Sequence, residues 1–135
     1  MTAENVNWVC RSLFESPYCI GLCLSEKNFK KELTRLKVSP ESWPKWITDN
    51  AGATVHYFDK SDGHSHCAIV CIDPKEKATP NEIVGLLIHE AVHVWQTVCE
   101  NVRETNPSRE FEAYSIQSIA QRLISAYPRC KKAKR

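Results

Sequence analysis

The segment from Ile83 to Val98 constrains this chain more than any other. Its apolar residues, Ile83, Val84, Leu86, Leu87, Ile88, Ala91, Val92, Val94, Trp95 and Val98, fall almost all the way round a helical wheel. A helix of that pattern belongs at the centre of a core. Thr79-Pro80-Asn81-Glu82 marks its start. Thr79 can cap, Pro80 suits the first helical position, and Glu82 completes a capping box. One polar stripe breaks the apolar surface: Glu82, His89, His93, Gln96 and Glu100. Gly85, one turn before His89, lies on that stripe and leaves space beside it.

The stripe contains His89-Glu90-x-x-His93. Residues four apart on a helix share a face, so both imidazoles can turn a nitrogen toward one metal ion. Glu90 is offset by about a third of a turn and can reach a water on that ion. Two ligands and a general base in this spacing point to zinc-hydrolase chemistry. The competing reading is a pair of core histidines satisfied by hydrogen bonds. Metal spacing with a neighbouring Glu favours the zinc site, and other divalent ions can occupy the same ligands.

A catalytic zinc takes three protein ligands and keeps a position for water. The next helical segment, Ser108 to Tyr127, is preceded by Pro107 and expected to end at Pro128. Its apolar stripe includes Ile116, Ile119 and Leu123, and one turn before Ile116 stands Glu112. A carboxylate on a core-facing stripe is costly unless it is paired or binds metal. Glu112 is therefore the expected third ligand, with one zinc per chain. Glu110 is the rival, on a wetter face with Tyr114, Gln117 and Gln121. Glu104 falls in the connecting loop. The alternative role for Glu112 is a charge favoured by the helix dipole.

His89-Glu90-x-x-His93 followed by Glu112 on the next helix resembles the gluzincin class of zinc metallopeptidases. The separation, 112 − 93 = 19 residues, is close to that of thermolysin-like members. Glu112-Ala113-Tyr114-Ser115 resembles their Glu-x-x-Ser stretch, although Ile116 stands where an acidic residue commonly follows. VGLLIHEAVHVWQ with SREFEAYSIQSIAQ more closely resembles short metallopeptidase-like proteins of tailed phages and prophages. That resemblance covers about the last 60 residues well. It implies a minimal zincin-like domain, and the bacterial host cytoplasm as its place.

The 135 residues allow one domain with a real core, expected over 1–128 and followed by a basic, disordered and solvated tail over 129–135. The net charge of +2 argues against a nucleic-acid binder as a whole. The tail carries Arg129, Lys131, Lys132, Lys134 and Arg135, so a phosphate-binding role is a third reading to set beside the other two. No run reaches transmembrane length, so no membrane partner is expected. The start, MTAENVNWVCRSLFE, does not read as a secretory signal, and a cytoplasmic protein is expected. The seven cysteines, an odd number, argue against a disulfide framework. Cys19 and Cys23, and Cys67 and Cys71, are spaced to share strand faces. They read as small core residues, with a second metal site as the alternative.

The amino-terminal half supplies a scaffold. Tyr18 to Leu24 reads as a strand, and Ser25 caps a helix over Glu26 to Leu36. Ser39 to Trp46 forms a short helix or turn that buries tryptophans. Ala53 to Asp59 and His66 to Ile72 read as a hairpin joined through Asp62-Gly63. The expected fold class is α+β, a small antiparallel sheet packed on the metal helix, followed by a second long helix.

Several functional expectations follow. The substrate is a peptide or protein, and Glu90 is the catalytic base. The hairpin can pair with an extended substrate backbone through Val70-Cys71-Ile72 or its partner strand. His56, Tyr57, His64 and His66 are candidate transition-state donors. The alternative is a non-catalytic, zinc-stabilised module that binds a host or phage protein.

Overall fold

The strand sequences CIGLC and CAIVCI are apolar without alternation, the pattern of strands covered on both faces. The computed structural model describes residues 6–9, 19–58, 67–74 and 78–134, the last six by backbone alone. Its elements are β1 (Asn7–Val9), β2 (Cys19–Cys23), α1 (Glu26–Arg35), a 3-10 turn (Pro40–Ser42), β3 (Ala53–Phe58), β4 (Cys67–Ile72), α2 (Pro80–Val102) and α3 (Arg109–Lys134).

The fold is α+β. Its sheet runs β1-β2-β4-β3. β1 is antiparallel to β2, and β3 is antiparallel to β4. The central pair, β2 and β4, is parallel, with Cys19 opposite Cys67 and Cys23 opposite Cys71. The sheet is therefore mixed rather than antiparallel throughout. The physical reason lies in coverage: β4 is buried along its whole length, with helices on both sides. β1 was not legible as a strand, because three residues carry no period. It packs closely on β2 at Gly21, where a Cβ would meet Val6 Cγ1 at 2.5 Å.

Strand alternation divides the interior into two clusters. Ile20, Leu22, Ala68, Val70 and Ile72 face α2 and α3, meeting Leu87, Val94, Val98 and Leu123. Cys23, Ile69 and Cys71 face the other way, meeting Phe29 and Leu33 of α1 with Trp43 and Trp46 at their edge. Each fully buried Leu or Val side chain contributes about 1.5–3 kcal/mol, so the two-sided sheet is the main source of stability.

The helix starts follow their caps. Ser25 Oγ accepts from Asn28 N at 3.2 Å, and Thr79 Oγ1 accepts from Glu82 N at 3.1 Å. α2 ends at Arg103, whose φ of 58° is left-handed. Its N–H closes onto the carbonyls of Cys99 and Glu100. Pro128 was expected to end α3 but lies inside it. A proline removes one backbone bond and bends a helix without having to stop it. The backbone over 129–134 is accordingly helical.

Candidate metal centre

α2 places the His-Glu-x-x-His segment by its own periodicity. The His89 and His93 rings meet edge to face with centroids 4.7 Å apart, and their Nε2 atoms are 3.1 Å apart. Both residues are exposed. Two imidazole nitrogens bound to one tetrahedral zinc at about 2.0–2.1 Å lie about 3.3 Å from each other. The pair fits that spacing closely.

His93 Nδ1 is 3.0 Å from Gln96 Oε1. The amide oxygen can only accept, so Nδ1 carries the proton, and Nε2 of a neutral His93 is left to accept from His89 Nε2, a hydrogen bond that a shared metal would replace. That is the tautomer a metal ligand needs. Gln96 was read from the sequence as part of the polar stripe, without this role. Its position three residues after His93 was the available signal.

Glu90 lies about 100° round the helix from His89 and is buried, at 5 % exposure. Burial pushes its carboxyl above the ordinary range, and the nearby His89 and His93 pull it back down. A carboxylate with a raised proton affinity, next to two imidazoles, has the character of a general base.

Glu112 stands in the first turn of α3, half-buried. Its Oε2 accepts a hydrogen bond from Trp95 Nε1 at 3.0 Å. Trp95 is buried and packs on Phe111 with ring centroids 5.5 Å apart. Trp95 lies about 120° round α2 from His89 and about 160° from His93, so this bond sits away from the face that the two histidines share. Among the described residues, no three His, Cys, Asp or Glu side chains gather into a group able to hold a metal. Glu110 is exposed, and Glu104 is exposed in the loop after α2. The fold thus joins His89 with His93, sets Glu90 next to them, and holds Glu112 on Trp95.

The hairpin candidates separate by face. His56 points away from α2: it stacks on Phe29 at 4.8 Å, and its Nε2 is 3.0 Å from the Trp46 carbonyl oxygen. Tyr57, the next residue, packs against the cluster that includes α2. His64 and His66 lie outside the described residues. β3 is a sheet edge, whereas Val70-Cys71-Ile72 is enclosed between β2 and β3. Of the two strands considered for backbone pairing, only β3 has a side with no strand paired to it among the described residues.

The four strand cysteines do not converge. The register makes two cross-strand couples, Cys19 with Cys67 and Cys23 with Cys71. They are four residues apart along each strand, about 13 Å at the usual rise, too far to share one ion. Among the described residues, no helix is long and apolar enough to cross a membrane. Comparison with family models, with curated proteins and with solved structures finds no match for this chain.

Proposed function

We propose that this protein is a zinc-dependent, metallopeptidase-like hydrolase that cleaves peptide bonds. The observation that carries the reading is the His89–His93 pair, with Nε2 atoms 3.1 Å apart and His93 oriented by Gln96. The buried Glu90 stands next to that pair. His89 and His93 hold the metal, and Glu112 is the third ligand. Zinc, when bound, supplies Lewis acidity and a water of lowered pKa.

The chain's own residues do the rest. Glu90 takes the proton of the attacking water and passes it to the leaving amine. Its burial raises its affinity for that proton. The open side of β3 offers backbone donors and acceptors to an extended peptide.

A second reading is a zinc-stabilised module that binds a protein without cleaving it. Phe111 and Tyr114, at 41 % and 58 % exposure, favour it. They stand one turn apart on α3, and contiguous exposed apolar surface marks binding sites.

Elemental analysis of protein purified without added metal tests the ligand set. About one zinc per chain is expected, lost in His93→Ala and strongly reduced in Glu112→Ala. Glu90→Gln then separates the two readings, using casein and a mixed fluorogenic peptide set as substrates. A hydrolase keeps its zinc in this variant and loses turnover. Wild-type protein that holds zinc and cleaves nothing supports the binding module. Wild-type protein that takes up no zinc when it is offered overturns both readings.

A further inference from the structure

The face of the sheet away from α2 carries chemistry that the proposed hydrolase does not use. Cys23 and Cys71 are paired residues on the parallel strands β2 and β4. Both side chains belong to the same cluster under α1. Neighbouring strands hold paired Cα atoms about 4.8 Å apart, inside the roughly 4.4–6.8 Å window that a disulfide needs. Paired residues on neighbouring strands turn their side chains to the same face, so the two thiols lie side by side. Both are reduced and buried.

We propose that Cys23 and Cys71 are a disulfide-forming pair, oxidised by a small peroxide. The surroundings give the two sulfurs different roles. Hydrogen bonding from the neighbouring Cys71 holds the Cys23 thiol below its ordinary range. Burial, and then that same bond, push the Cys71 thiol up. The Trp46 indole N–H is buried, forms no well-aligned hydrogen bond among the described residues, and favours the thiolate at both positions. At the other in-register couple, burial, with the charge on Glu32 adding to it, pushes Cys67 up to about 11. Cys23 is therefore the nucleophile and Cys71 the resolving thiol.

The chemistry balances in two steps. The Cys23 thiol gives up its proton, its thiolate attacks one peroxide oxygen, the O–O bond breaks, and the departing hydroxide takes that proton as water. Cys23 becomes a sulfenic acid. The Cys71 sulfur then attacks the Cys23 sulfur, the S–O bond breaks, and the S–S bond forms. The hydroxyl leaves with the Cys71 proton as water. Two thiols lose two electrons, and one hydrogen peroxide becomes two waters. The product clips together the two central strands on which α2 packs.

The test exposes the full chain to hydrogen peroxide while circular dichroism confirms that the fold is retained. The protein is then denatured in alkylating agent and mapped by proteolysis and mass spectrometry. The expected product is a peptide joining Cys23 to Cys71, about 2 Da below the sum of its reduced parts and released by dithiothreitol. In Cys71→Ala, dimedone should trap a sulfenic acid at Cys23. If that variant does not fold, the wild-type map alone decides. Alkylation of both Cys23 and Cys71 in treated, folded protein overturns the proposal. So does linkage of either one to another cysteine.

Discussion

Trp95 Nε1 donates to Glu112 Oε2 across 3.0 Å, joining the two long helices through the carboxylate expected to bind metal. A carboxylate has two oxygens. The indole engages one and leaves Oε1 to serve another partner. Outer-sphere hydrogen bonds of this kind orient ligating carboxylates.

Trp95→Phe should therefore lower zinc affinity by about tenfold, because it removes the N–H and keeps an aromatic ring in the core. Competition with a chromophoric chelator measures this. Unchanged affinity would mean that the Trp95 bond plays no part in positioning Glu112.

Gln96→Ala should weaken zinc binding by about 10–100-fold with little change in folding, since Gln96 is exposed and its contact is with His93 Nδ1. Isothermal titration against chemical denaturation separates the two effects. A loss of stability with zinc affinity intact would make the contact structural only.

His56→Ala should leave hydrolysis unchanged in the folded protein. Its ring stacks on Phe29 and meets the Trp46 carbonyl, on the sheet face opposite α2. Losing the stack and the hydrogen bond should cost about 1–2 kcal/mol, read from urea unfolding. A large fall in turnover at full folding would place His56 in the site.

The two glycines should respond in opposite directions. A Cβ at Gly85 meets no heavy atom within 4 Å, so Gly85→Ala should stabilise α2 by about 0.5–1 kcal/mol. At Gly21 the added carbon would lie 2.5 Å from Val6 Cγ1, and overpacking should cost about 1–3 kcal/mol. Denaturation midpoints measure both. If Gly85→Ala stabilises the fold yet slows hydrolysis, the open space at that position belongs to the substrate.

The helix starts were legible because capping is local. Ser25 and Thr79 act on N–H groups three residues away. The antiparallel pairing of β3 with β4 was legible from two apolar runs on either side of Asp62-Gly63, a turn that itself lies outside the described residues. β1 was too short to show a pattern, and Pro128 misled because its bend is tolerated inside a helix. The parallel pairing of β2 with β4 was missed because the strands are far apart in sequence. Their uniform apolarity says that both faces are covered without naming the neighbour.

The sequence by itself determined that α2 is central and that His89, Glu90 and His93 share one stretch of it. The helix period does this with no help from the rest of the chain. Tertiary structure decided what distant residues do. It decided that His56 meets Phe29 while Tyr57 meets the α2 cluster, left β3 at the sheet edge, and placed Glu112 on Trp95. Those outcomes depend on strand register and helix packing, which arise from contacts between segments remote in sequence.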